Sequence, residues 1–337
     1  MRRIGFAFTL STLMAKAALG EEASFVDVSL GDVSLNKVAF MVAADAGLYR
    51  KYGVDVRPFI TTQAASRIKR SGVVVPAEFI GSNDRAAAAP IEIGGGSPMI
   101  VSMTSDARAT DRVIVATTDN TARFHVIASR AIVDLDDLKG KRLGYSVYGS
   151  VSHLMALALL RLKHWSPESD ISLMAEGMAF PALNDGKVDA FIGSEIYYTM
   201  AGKNGARDIL DLSAFKIPIA GSGVNVNRGW LACHRDIVTN FLKATIEAYA
   251  RMGRDKGVVR SALAKWFNIT DVAQQDGMYA QIVATPKKPY PAVEGIRLVK
   301  ELYRHRELQR HEASYFYDSS FIEALDRSGF IDKVYTE

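Results

Sequence analysis

Short apolar runs separated by glycines organise the first third of the chain. Val26–Leu30 has the character of a strand, residues 38–46 (VAFMVAADA) are long enough for a helix closed by Gly47, and Gly53 leads into another apolar run at 54–60. Strand, helix and strand at this spacing predict a crossover unit with parallel strands. The pattern continues with a helix over 61–70, strands at 73–75 and 91–94, and a loop at 82–89. Two consecutive strands, 113–117 and 124–129, follow, joined through Thr118-Asp119-Asn120-Thr121.

The middle of the chain carries the clearest loop chemistry. Residues 142–147 read as a buried strand, Gly149 breaks it, and Val151, Leu154, Met155, Ala158, Leu159 and Leu162 then share one helical face. Ser150 is the predicted N-cap. A helix start at the carboxyl edge of a sheet leaves the N–H groups of Val151, Ser152 and His153 facing outward, where the helix dipole favours negative charge; a plain cap accounts for Ser150 equally. In GGGSP (94–98), Ser97 can cap and Pro98 suits the first turn, while Gly96 and its neighbours allow either close approach by a ligand or a tight turn. Asn36, next to Lys37, is a further candidate cap. Ser194 and Glu195 follow a strand at 188–192, and Glu195 suits either N–H donors of a ligand or solvent. Tyr145, Tyr197, Tyr198 and Trp230 are candidate stacking walls or core residues. Residues 230–249 predict a strand and a long helix, and 261–267, 270–282, 293–305 and 319–327 predict further helices.

Composition narrows the class. The 337 residues, 48% hydrophobic and 23% charged, suffice for two domains with cores of their own. Arg2 and Arg3, an apolar run from Ile4 to Met14 and small residues ending at Gly20 form a secretory leader pattern, giving an expected leader over 1–20. No other run approaches the roughly 20 apolar residues of a membrane span. Of 41 basic residues against 37 acidic, Arg2, Arg3 and Lys16 lie in the leader, so without them the net charge drops from +4 to +1. That removes the electrostatic case for nucleic acid, and Arg304-His305-Arg306 sits between Glu301 and Glu307 as a solvated helix face would. Cys233 is the single cysteine, so no internal disulfide forms, and no cysteine stands at the leader's end to take a lipid. It is expected to be a small buried hydrophobe.

Three motifs in order, LDDLKGKRLGY (135–145), GSVSH (149–153) and LNDGKVDAFIGS (183–194), backed by VAFMVAADAGLYRKYGVDV upstream and YFYDSSFIEAL downstream, resemble the periplasmic solute-binding proteins of the nitrate, sulfonate and taurine type. That group is related to the pyrimidine-precursor proteins of thiamine biosynthesis. The resemblance spans nearly the whole chain after the leader. It implies an α/β chain of the type II periplasmic-binding-protein fold, two doubly wound lobes joined by two hinge crossings. The first lobe would comprise 21–119 and 223–337 with the C-terminal helices, and the second 120–222, the return crossing lying in 217–226 with Gly221 and Gly223 as hinge points. Strand-end loops would then place Asn36, Lys37, Gly96, Ser97, Asp119, Gly149, Ser150, Val151, Ser152, Ser194, Glu195 and Trp230 around a ligand. The implied role is capture of a small solute for a membrane ABC permease by a monomer in the periplasm, without lipid anchor, cofactor or metal. The alternative is an enzyme of the thiamine-pyrimidine or menaquinone precursor branches on the same fold.

The residues themselves speak against catalysis. The six histidines show no HExxH-like spacing, and no G-x-S-x-G elbow occurs, so Ser150, Ser152 and His153 form a helix start rather than a triad. GGGSPM has neither the dinucleotide-binding spacing nor the lysine of a phosphate loop. The thiamine-pyrimidine enzymes carry a cysteine-rich motif that one cysteine cannot supply. Ligand charge stays open: helix starts and serines suit an anion, whereas Glu195 and the aromatics suit a nitrogen heterocycle.

Overall fold

A computed structural model describes residues 25–70, 72–105, 110–167 and 169–337; the expected leader lies outside them. Eleven strands are present among the described residues: β1 Val26–Leu30, β2 Val56–Thr61, β3 Ile80–Gly81, β4 Ile91–Gly95, β5 Arg112–Thr117, β6 His125–Ala128, β7 Arg142–Gly144, β8 Ser172–Met174, β9 Ala190–Gly193, β10 Arg207–Asp211 and β11 Ser222–Asn227. They form two sheets, ordered β3-β2-β1-β4-β11-β5 and β10-β6-β9-β7-β8. In the first, β3, β2, β1 and β4 are parallel and β11 runs antiparallel between β4 and β5. In the second, β8, β7 and β9 are parallel, and β6 is antiparallel to both β9 and β10. This is the two-lobed α/β architecture of the periplasmic binding proteins.

Strands covered on both faces are buried along their length: β5 at every position and β1 at all but Asp27, with mostly apolar residues in both. The Val38–Asp45 helix has little amphipathic character because it is enclosed on all sides; its residues from Val38 to Ala43 are buried against the 20-residue Arg235–Arg254 helix and the Lys256–Phe267 helix. Among the described residues no helix is long and apolar enough to cross a membrane.

Four local expectations are corrected. Residues 73–75 join no ladder, although Val73 and Val75 are buried. The expected loop at 82–89 contains the Asn83–Ala88 helix, capped by the Ser82 hydroxyl, which accepts from the Arg85 N–H at 3.2 Å. The strand expected to open 230–249 is absent, since β11 ends at Asn227 and Arg228–Leu231 is a short helix. Cys233, just beyond that helix, is exposed rather than buried.

The chain passes between the sheets twice, and the two passages lie side by side. Thr118 N–H donates to Ser222 O at 3.0 Å, Ile219 N–H to Asn120 O at 3.2 Å and Ala122 N–H to Ile217 O at 3.0 Å. Because β11 starts at Ser222, the return passage is shorter than 217–226, and Gly223 lies in a sheet. Gly221 is obligatory: its φ is +35°, and a Cβ there would sit 1.3 Å from the Asp119 carbonyl oxygen. Behind this ribbon runs the Val293–Leu302 helix, whose Gly295 abuts the Ile219 and Ala220 backbone.

Candidate functional site

The carboxyl ends of the parallel strands in both sheets face one another across a cavity of about 260 Å³. The first sheet contributes Gly31 to Ser34 and Asn36 after β1, Gln63, Ala64 and Arg67 after β2, and Glu92, Gly94, Gly95 and Pro98 on and just past β4. From the second come Ser146, Val147 and Ser150 to Ser152 after β7, Met178 after β8, and Ser194 and Tyr197 after β9. Asp119, Phe124, Ile219, Gly221 and Ser222, on the two passages, form the back wall.

Charge in the cavity is concentrated in three carboxyl groups and one arginine. Asp32 meets Lys37 Nζ at 3.2 Å; that lysine is 1% exposed and also donates to Ser222 Oγ at 2.6 Å and Asn36 Oδ1 at 3.1 Å. Asp119 is held by Arg123 at 3.2 Å and by the Asn36 amide, which donates to Oδ2 at 3.1 Å. Among the described residues the one ion pair of Glu92 is with Arg112, whose Nε is 3.5 Å from Oε2. Burial pushes the Glu92 carboxyl above the usual carboxylate range, outweighing the opposing pull of Arg112 and Lys37. Arg67, half-buried, has no carboxylate partner among the described residues.

On the opposite side, Ser150 caps the Val151–Lys163 helix, its Oγ accepting from His153 N–H at 3.2 Å, and Ser152 Oγ accepts from Ser146 N–H at 3.0 Å. The first intrahelical bond runs from Leu154 N–H to Ser150 O, so the Val151 and Ser152 N–H groups precede the ladder at the cavity wall. Just behind, His153 Nδ1 accepts from the Gly149 N–H at 3.3 Å and lies 2.8 Å from the Tyr303 hydroxyl, and the ring stacks on Tyr145. Burial lowers the His153 pKa from 6.5 to about 4.

Of the residues expected at a ligand, Asn36, Asp119, Ser150, Val151, Ser152 and Ser194 line this cavity. Lys37 lies beneath it as a buried tie, and Asn36 braces Asp119 instead of capping a helix. Gly96, Ser97 and Gly149 stand where the two sheets' helices touch. The cap of the Gly96–Met103 helix is Gly95, the Ser97 hydroxyl donates to the Gly149 carbonyl at 2.8 Å, and Gly96 packs on Ala220. Trp230 is misplaced by the sequence reading: antiparallel β11 begins at the cavity with Ser222 and ends at the far edge of the sheet, so Trp230 stacks on His234 away from the site. The Glu195 backbone opens the Glu195–Met200 helix, and its side chain lies outside the described atoms. The reading missed Asp32, Arg67 and Glu92. Only Glu92 left a trace, as an acid beside the glycine run, and nothing in IEIGGG alone turns it inward.

Residues 99–255 match the family model described as NMT1/THI5 like. A sequence search of curated proteins returns no match. Among solved structures, the chain is similar to the periplasmic nitrate-binding protein NrtA from Synechocystis PCC 6803, with TM-score 0.70 and 13% identity over 91% of this chain and 89% of that one. It is also similar to the alkanesulfonate-binding protein SsuA from Xanthomonas axonopodis pv. citri, with TM-score 0.65 and 15% identity over 88% and 98%. A desulfurization enzyme, DSZB, shares the fold with TM-score 0.54 and 13% identity over 90% and 99%. The fold is therefore that of the periplasmic binding proteins. Within it, residues 99–255 are similar to the NMT1/THI5-like family.

Proposed function

We propose that this chain is the extracytoplasmic solute-binding component of an ABC import system. The observation that carries the reading is the cavity lined from both sheets and backed by a paired passage with a conformationally special glycine, the arrangement a hinge-closing capture device needs. Residues 21–119 with 223–337 make one lobe and 120–222 the other, with 1–20 as a removed leader. The protein works as a monomer in the periplasm, holds a small organic solute in the cleft without chemical change, and presents the closed form to a membrane permease. Likeness to nitrate- and alkanesulfonate-binding proteins supports the transport reading; the DSZB fold likeness keeps an enzyme as the competing one.

A thermal-shift screen of nitrate, taurine, alkanesulfonates, pyrimidines and aromatic carboxylates tests this, because a ligand that binds only the folded state raises its Tm. A binding compound should come off unaltered and reduce the radius of gyration in small-angle scattering. Turnover of the bound compound would decide for the enzyme. Ligand binding with an unchanged radius of gyration would refute the hinge.

A further inference from the structure

We propose that the solute carries both a hydrogen-bond-donating nitrogen, an amine or amidine-type group that seats on Glu92, and an acidic group that faces Arg67. This rests on the reading of the cavity as a solute site and names what it selects.

The three carboxyl groups of the cavity are not equivalent. Asp32 is matched by Lys37 and accepts from the Ser34 hydroxyl. Asp119 is matched by Arg123 and accepts from Asn36. Glu92 alone has unused capacity: among the described residues no hydrogen bond reaches its carboxyl, and Arg112 at 3.5 Å stands beyond good hydrogen-bond distance. Arg112 is also committed elsewhere, donating to Ala89 O at 2.7 Å and Pro90 O at 3.1 Å. The Glu92 side chain is 34% exposed, so its carboxyl is open to the cavity, and a ligand that brings N–H groups supplies the donors that the surrounding side chains do not.

Space at Glu92 is made by glycines. Side chains built on Gly31 and Gly94 would put Cβ atoms 3.4 Å and 2.8 Å from Oε1, so their absence keeps the carboxyl in place at the ends of β1 and β4. At another part of the lining, Arg67 has no carboxylate partner among the described residues, and it stands on the same helix as Ala64 and Ile68. Its charge in a partly enclosed site favours an anionic group. The raised pKa of Glu92 agrees with a carboxyl still lacking donors.

Matched pairs differing only by amino against hydroxyl provide the test: taurine and isethionate, β-alanine and 3-hydroxypropionate, and 4-aminopyrimidine-5-carboxylate and its 4-hydroxy analogue. Binding is measured by calorimetry on the leaderless full chain, on Glu92→Gln and on Arg67→Gln, with circular dichroism melts confirming folding. In at least one pair the amino member should bind about tenfold tighter or better, and Glu92→Gln should weaken it ten- to a hundredfold while abolishing the preference. Arg67→Gln should weaken both members of that pair alike. Should Glu92→Gln not fold, Glu92→Asp, which keeps the charge but retracts it, should give the same loss of preference. Equal binding of both members, unchanged in folded Glu92 variants, overturns the assignment and leaves the solute-binding reading standing. No binding by any member of any pair overturns the assignment, and the solute-binding reading falls with it only if the thermal-shift screen also finds no ligand.

Discussion

At the scale of single residues, His153 shows how the site's second wall is held. Its Nδ1 accepts from Gly149 N–H and lies 2.8 Å from the Tyr303 hydroxyl, so a ring unprotonated at Nδ1, and hence neutral, is the form that fits. Burial depresses its pKa to about 4 from an ordinary 6.5. Between those values the unfolded chain takes up a proton that the folded chain refuses, so stability contributed by this group falls as pH drops from about 6.5 toward 4 and is constant above. Melting curves across that window should show a steeper decline for the native protein than for His153→Gln, which keeps an acceptor but does not titrate. Equal slopes would mean that the ring is not buried in this way. The sequence marked His153 only as part of a helix start, because its partners are Tyr145, from another strand end, and Tyr303, 150 positions away. Glu92 and Arg67 escaped for the same reason: one reads as the polar side of a strand and the other as the wet face of a helix until the lobes are assembled.

At the scale of elements, the decisive feature is the meeting of two helix starts. Ser97 donates to the Gly149 carbonyl, and side chains added at Gly95 or Gly149 would put Cβ atoms 2.8 Å from Val151 Cγ2 or 3.0 Å from Val101 Cγ1. Gly149 also has φ +80°, which β-branched residues scarcely adopt. Gly149→Val should therefore lower stability by about 1–3 kcal/mol as well as weaken ligand binding, through backbone strain and overpacking. Gly149→Asn, better suited to that φ, should melt closer to the native protein; denaturant titration of the pair checks this. Binding lost by Gly149→Val with no change in stability would instead make Gly149 a ligand contact. These strand-glycine-helix units were legible because periodicity and punctuation are local. β11 was not: GSGVNV looks like a flexible passage, and only pairing with β4 and β5, over a hundred positions earlier, makes it a strand.

At the scale of the whole molecule, the lobes are also fastened by side-chain contacts outside the hinge ribbon. Tyr303 reaches His153, Tyr148 OH lies 2.6 Å from His305 Nε2, and Arg70 pairs with Glu176 at 3.2 Å across the cleft lip. Tyr303 belongs with the first sheet, since the segment leading to its helix is tied to β5: Thr117 N–H donates to Pro289 O and Ala292 N–H to Thr117 Oγ1. The two-lobed fold could be read from the motif order, but these fastenings could not, because each joins side chains more than a hundred positions apart. An exposed ion pair such as Arg70–Glu176 adds little to closure, whereas the Tyr303–His153 bond is shielded from water. Tyr303→Phe removes one hydroxyl and leaves the ring packing intact, so its effect should fall on closure. If the contact holds the lobes together, the variant should keep its far-ultraviolet spectrum, show a larger radius of gyration without ligand, and bind roughly three- to tenfold more weakly, the range for one net hydrogen bond. An unchanged radius of gyration and affinity would show that this bond persists in the open form, and that closure is governed by the ribbon at Gly221 instead.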